Sequence, residues 1–134
     1  MKTGLVQPVL PIRVLIIDDV ADNRETHQGY LQYAGFRVAV AGDAVQALKM
    51  AHSLRPDVIL LDLSRPQVDG WVLCETLKGN PRTHRIPVIA LSAFADPNSR
   101  RRALDAGADA FLSKPCRPEE LAQEILRHVP PVAA

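Results

Sequence analysis

The stretch VILLDLSRPQVDGW (Val58–Trp71) joins an apolar run to a single acid and then to a polar turn. The run DVILLD (Asp57–Asp62) is the most apolar in the chain and does not alternate, which is typical of a strand covered on both faces. A fully buried strand has no structural use for a carboxylate. Asp62 therefore indicates chemistry at the end of this strand.

Short β-branched runs alternate with helical segments along the rest of the chain, which predicts an α/β protein with right-handed crossovers. We expect a five-stranded parallel sheet with helices on both faces, in one domain over 12–129 between loose tails at 1–11 and 130–134. The strands are predicted at Arg13–Asp18, Phe36–Ala41, Asp57–Asp62, Pro87–Ser92 and Ala110–Ser113, and the helices at Asp22–Ala34, from Ala44 after an Asp43 cap, and at Gly70–Lys78, Pro97–Ala106 and Pro118–Val129.

Composition excludes several classes of function. The 134 residues suit a single core, and a net charge of +1 gives no reason to expect nucleic acid or an anionic membrane as a partner. The two cysteines and four histidines show neither metal-ligand spacing nor a disulfide framework. Because we find no membrane span and no signal peptide, we expect a cytoplasmic protein.

Polar residues follow the predicted strands at their carboxyl ends: Asp18 and Asp19, Asp62, Ser92 and Lys114. Ligands of such sheets bind at this edge. Each residue alone has an ordinary explanation, as a helix cap or a surface side chain, but their joint arrangement does not. Three close acids repel one another, and a lysine together with a divalent cation would offset that repulsion. Carboxylate oxygens with few other ligands suit Mg²⁺.

The segments LIIDD, ILLDLSRPQVDGW, IALSA and FLSKP resemble, in order and spacing, the receiver domain of bacterial two-component response regulators, a CheY-like family. The resemblance runs from about Arg13 to Val129. It implies a flavodoxin-like, doubly wound sheet of five strands flanked by five helices. It also implies a signalling switch that catalyses its own phosphorylation and dephosphorylation and is not a conventional enzyme.

The resemblance assigns the chemistry to particular residues. Asp62 would be the phosphoacceptor, attacking the phosphoryl group of a phosphohistidine. Asp19 and Asp62 would hold Mg²⁺ with the backbone carbonyl of Ser64, and Asp18 would contribute through a metal-bound water. The metal would neutralise charge on the phosphoryl oxygens.

Further residues would bind the phosphoryl group and report its presence. Lys114 would pair with one phosphoryl oxygen, and Ser92 would donate its hydroxyl to another. Ser92 and Phe111 would form the switch; a Phe111 that never moves from the core is an equal alternative. The Lys114–Pro115 peptide bond is expected to be cis.

Other positions near the phosphoacceptor have subsidiary roles in the resemblance. Pro66 and Gly70 belong to the turn that follows Asp62. Ser64 and Phe94, each two residues past an active-site residue, would tune hydrolysis of the aspartyl phosphate. Because an aromatic side chain can screen water, we hypothesise slow self-dephosphorylation.

The expected partners are a sensor histidine kinase or phosphotransfer protein, and a downstream protein bound by the fourth helix, fifth strand and fifth helix. The arginines of SRRRALDAG (Ser99–Gly107) would meet an acidic partner or a second receiver in a homodimer. The sequence leaves open whether this is a stand-alone regulator or a piece of a longer protein.

Three alternatives receive less support. A phosphorylation-independent pseudo-receiver would usually lose some of the acids, the serine or the lysine. A nucleotide- or flavin-binding domain would carry a glycine-rich loop where DDVADN stands. A phosphohydrolase with an aspartyl nucleophile would need an acid at Ser64.

Overall fold

The apolar runs form one parallel sheet in the computed structural model, which describes residues 11–18, 20–62, 70–93 and 96–129. The part of the chain so described contains five strands in the order β2-β1-β3-β4-β5, which confirms the predicted doubly wound fold. All neighbouring strands pair in parallel. The strands are β1 Arg13–Ile17, β2 Arg37–Ala41, β3 Val58–Asp62, β4 Val88–Ser92 and β5 Ala110–Ser113.

Helices connect successive strands and cover both faces of the sheet. Their ends follow local chemistry: the Asp43 side chain accepts the Gln46 N–H and caps the second helix, as predicted, and Asp96 caps the fourth through the Ser99 N–H. Gly35, at φ 102°, follows the first helix. The helices are α1 Ala21–Tyr33, α2 Ala44–Leu54, α3 Gly70–Gly79, α4 Pro97–Asp105 and α5 Pro118–His128.

Two hydrophobic clusters lie on opposite faces of the sheet. β3 is buried along its whole length, which explains why its sequence does not alternate. Val14 and Ile16 of β1 pack in the cluster that contains Leu31 of α1 and Ile125 of α5. Leu15 and Ile17 pack in the opposite cluster, formed with α2, α3 and α4. The core therefore holds the central strands from both sides.

The order of the strands reverses between β1 and β3, because the chain leaves β1 for one edge and returns to its other side. Ile17, the last residue of β1, pairs in register with Leu61. Asp18 lies one residue past the end of β1, where the prediction included it in the strand, and it leaves the sheet close to Asp62. In doubly wound sheets this switch point is where ligands bind.

Within the described ranges no helix is long and apolar enough to cross a membrane. Residues 1–10 of the expected N-terminal tail (1–11), and the whole of the expected C-terminal tail (130–134), lie outside those ranges.

Candidate functional site

β3 ends at the carboxylate around which the site is built. The Asp62 side chain is only 5% exposed, and the Lys114 ammonium donates to its Oδ2. Lys114 follows β5 directly, and its backbone N–H donates to the Ser92 carbonyl at 2.8 Å. The Lys114–Pro115 bond is cis, the isomer that the resemblance implies. Neighbouring strands thus deliver the acid, the lysine and the serine to one edge.

Asp18 lies beside this pair and is 3% exposed. Its backbone N–H donates to the Ala41 carbonyl at 3.1 Å, and its Oδ1 accepts the Val20 N–H at 2.9 Å. Its Oδ2 is buried and has no hydrogen-bond partner among the described residues. A buried carboxylate oxygen in that condition is costly unless a proton or a cation satisfies it.

The protonation of Asp18 reflects these surroundings. The pKa of Asp18 is raised to about 6: burial is the largest cause, the Val20 N–H opposes the rise, the Asp62 carboxyl adds to it and Lys114 opposes it. When Asp18 holds a proton the two carboxyl groups can share it, and when both are ionised they repel. Near neutral pH the pair carries negative charge that Lys114 alone does not balance.

Two carboxylates facing each other, one with a free oxygen, fit a hard divalent cation such as Mg²⁺. No cluster of three possible ligands forms within residues 11–18, 20–62, 70–93 and 96–129. The predicted ligands Asp19 and Ser64 lie outside these ranges, as do Pro66 and Phe94. Gly70, the predicted turn residue, begins α3 and is buried.

The predicted switch residues lie on β4 and β5. Ser92 ends β4 and is buried, in register with Ser113. Phe111 is 6% exposed and pairs in register with Ala90, so its ring lies within the core cluster. The Arg100 guanidinium of α4 lies over this ring, 5.7 Å from its centroid. In this structure Phe111 is therefore an inward, covered residue.

Sequence reasoning did not find two residues of α1 near the site. Arg24 Nη1 donates to the Asp18 carbonyl at 2.6 Å. His27 was not predicted as a site residue, because the four histidines show no metal-ligand spacing. Its pKa is lowered by its burial and by the charge of Lys114. Its buried Nδ1 has no hydrogen-bond partner in the described part of the chain. Their three-residue spacing, which places both on one helix face, was the available signal.

The two cysteines form no comparable site among the described residues. Cys74 and Cys116 are free thiols. Burial raises the pKa of both, to about 11 for Cys74. Buried thiols of raised pKa are poor nucleophiles. The chemistry of the described residues is therefore concentrated at the switch point.

Fold and site together define a class: a doubly wound α/β protein whose strand ends present a lysine-bound carboxylate beside an acid with an unsatisfied oxygen. Comparison with known families gives the same answer. The family model of the response regulator receiver domain matches residues 14–126. The chain belongs to this family, the receiver domains of two-component response regulators.

Individual relatives agree with this assignment. Protein RcaC of Microchaete diplosiphon is 36% identical over 127 residues, which are 95% of this chain and 20% of that protein. The DNA-binding dual master transcriptional regulator RpaA of Synechocystis is 38% identical over 109 residues, 81% of this chain and 45% of that protein. The chain thus spans less than half the length of either relative.

A solved structure matches over nearly its whole length. The receiver domain of the sensor histidine kinase PA1611 from Pseudomonas aeruginosa superposes with a TM-score of 0.81 at 30% identity. The match covers 90% of this chain and 98% of that one. In that protein a magnesium ion is coordinated in the active site cleft.

Proposed function

We propose that Asp62 of this receiver domain accepts a phosphoryl group from a phosphohistidine of a sensor histidine kinase or phosphotransfer protein. One observation carries the proposal: the Lys114-bound Asp62 carboxylate lies at the switch point beside the unsatisfied Asp18 Oδ2. A merely structural ion pair would not need a second buried acid next to it. Membership of the receiver family supports the same role.

In the proposed reaction one Asp62 oxygen attacks phosphorus, the bond from phosphorus to the histidine nitrogen breaks, and the donor imidazole takes up a proton. Lys114, already on Asp62 Oδ2, stays beside the phosphoryl oxygens as they arrive. Ser92 donates its hydroxyl to another of these oxygens. Hydrolysis by water then returns the carboxylate.

Mg²⁺ is the proposed cofactor, since it neutralises phosphoryl charge when bound. Asp62 and Asp19 would hold it with the Ser64 carbonyl, while Asp18 would act through a metal-bound water. The unsatisfied Asp18 Oδ2 supports this ligand set. Ser64 and Phe94 would tune the lifetime of the aspartyl phosphate.

The output surface is proposed to comprise α4, β5 and α5, which would bind a downstream protein or a second receiver. Two α4 arginines are already engaged, because Arg100 lies over Phe111 and Arg102 lies 5.6 Å from the centroid of Trp71. Arg101, exposed between them, is the residue we propose for an acidic partner. Phosphorylation would act through Ser92 and Phe111 on this surface.

We further propose that the protein works in the cytoplasm, does not bind nucleic acid directly, and turns over no substrate beyond its own aspartyl phosphate. The receiver would occupy 12–129, with tails on either side. Its relatives include a DNA-binding regulator and the receiver of a histidine kinase, so either setting agrees with the proposal. The complete set of Asp18, Asp62, Ser92 and Lys114 gives no specific support to a pseudo-receiver.

The test is incubation with acetyl phosphate and Mg²⁺, followed by intact-mass analysis. We expect one phosphoryl group to add to the wild type and none to Asp62→Asn or to a sample without metal. Asp109→Asn is the matched control, because Asp109 is also paired with a lysine, Lys78, but away from the switch point. Unchanged labelling of Asp62→Asn would refute the proposed nucleophile.

A further inference from the structure

Arg24 joins α1 to the end of β1. It lies in the first turn of α1, where its backbone N–H donates to the Val20 carbonyl at 3.1 Å. Its Nη1 donates to the Asp18 carbonyl oxygen at 2.6 Å. A charge-assisted bond of this length is among the stronger hydrogen bonds in a protein. The side chain therefore restrains the peptide group that leads out of Asp18.

The guanidinium passes over Gly42, the residue that follows β2. A Cβ built on Gly42 would lie 2.9 Å from Arg24 Nη1 and 3.4 Å from its Cζ. The Gly42 N–H donates to Gln46 Oε1 at 2.9 Å, which fixes the glycine backbone against α2. Arg24 thus reaches Asp18 through a space that exists because residue 42 has no side chain.

Three hydrogen bonds hold Asp18, and one of its side-chain oxygens takes part in none of them. Its N–H is bonded to Ala41, its carbonyl to Arg24, and its Oδ1 to the Val20 N–H. Only Oδ2 has no hydrogen-bond partner among the described residues. The backbone bonds set the direction of the side chain, and the Val20 bond sets its rotation. The remaining oxygen is thereby held near Asp62.

We infer that Arg24 is a positioning residue for the metal-binding part of the site. It reaches Asp18 across Gly42, which leaves room for the guanidinium because it has no side chain. It holds the Asp18 backbone so that Asp18 Oδ2 is in place before a cation binds. Ligands fixed in advance bind more tightly, because less order has to be created on binding. The inference rests on the proposed Mg²⁺-dependent function.

The test compares four variants by Mg²⁺ calorimetry and by amide hydrogen exchange of the metal-free protein. Arg24→Ala removes the bond, and Gly42→Ala displaces the guanidinium from the other side. Each should weaken Mg²⁺ binding by about tenfold, as loss of a supporting residue around a metal does. The controls are Arg13→Ala, which removes a similar bond to the Leu54 carbonyl, and Gly29→Ala, whose new Cβ meets nothing within 4 Å.

Hydrogen exchange distinguishes a failed inference from a failed function. With the Asp18 backbone released, the Asp18 and Val20 amides should exchange faster in Arg24→Ala and Gly42→Ala, while the controls match wild type. Unchanged exchange in both variants would overturn the inference whatever the metal does. Faster exchange with wild-type Mg²⁺ affinity would also overturn it. Wild-type protein that binds no Mg²⁺ would instead refute the proposed function, and with it the inference.

Discussion

Two lysine–aspartate pairs lie at opposite ends of the strands of the same sheet, and they differ in what surrounds them. At the edge where β4 and β5 begin, Lys78 Nζ donates to Asp109 Oδ2 at 2.8 Å and to the carbonyls of His84 and Ile86 at 3.1 and 3.0 Å. Asp109 Oδ2 also accepts the Val88 N–H at 2.8 Å. The three protons of this ammonium all have acceptors.

At the opposite edge, Lys114 binds Asp62, but the neighbouring Asp18 keeps a buried oxygen without a partner in the described part of the chain. A fully bonded polar network makes a structure rigid, whereas a partly satisfied one is unstable until something completes it. The first pair therefore stabilises the fold. Under the proposed function, the second is completed by a ligand that brings positive charge, followed by a phosphoryl group.

Replacing each of the two lysines by alanine gives the largest expected difference between the two pairs. Lys114→Ala should slow phosphorylation by acetyl phosphate on the order of 100-fold, because it removes a charge aimed at the developing phosphoryl oxygens. Lys78→Ala should leave the rate within about twofold while lowering the free energy of unfolding by about 2 kcal/mol, since it strands several acceptors. Intact-mass time courses and urea unfolding measure the two effects. If both variants fold and phosphorylation slows equally in each, the two pairs do not differ in function as proposed.

Replacing one glycine near each pair by alanine gives a smaller expected difference. Gly107 has φ 101°, and an added Cβ would lie 2.9 Å from Lys78 Cγ. Gly107→Ala should therefore lower the free energy of unfolding by about 1 kcal/mol or more and leave Mg²⁺ affinity unchanged. Gly42→Ala should weaken Mg²⁺ binding by about tenfold and lower the free energy of unfolding by less than Gly107→Ala does, because its Cβ meets only the guanidinium end of the Arg24 side chain, which can shift. Thermal unfolding and calorimetry of both variants check this, and weaker Mg²⁺ binding in Gly107→Ala would contradict it.

The sequence carried enough information for the fold and for the strand-end residues. An apolar run without alternation reveals a buried strand, and parallel strands necessarily bring their carboxyl ends together, so Asp62, Ser92 and Lys114 could be predicted as neighbours. Strand ends were less certain: Asp18 falls outside β1 because the register with β3 stops at Ile17.

Residues on helices could not be predicted in the same way. Whether Arg24 reaches Asp18 depends on how α1 crosses the sheet and on the space above Gly42, neither of which spacing reveals. The sequence predicts that the α4 arginines form a charged surface, whereas in the structure Arg100 and Arg102 lie over aromatic rings. These contacts come from tertiary packing between distant parts of the chain.

The most direct measurement is the free energy of unfolding of wild type and Asp18→Asn against pH, without metal. The pKa of Asp18 is raised from 3.8 to about 6 in the folded protein, so the folded state holds this proton more tightly than the unfolded state. The stability that this confers is complete below about pH 4 and is lost as the pH rises through about 6.

We therefore predict that wild type loses, relative to Asp18→Asn, on the order of 2 kcal/mol between about pH 4 and about pH 7, allowing for solvent screening. Mg²⁺ should restore the loss at neutral pH in wild type and much less in the variant. Asp109→Asn should be less stable than wild type at neutral pH with or without Mg²⁺. A pH-independent difference between wild type and Asp18→Asn, unaffected by Mg²⁺, would contradict a site prepared for a cation.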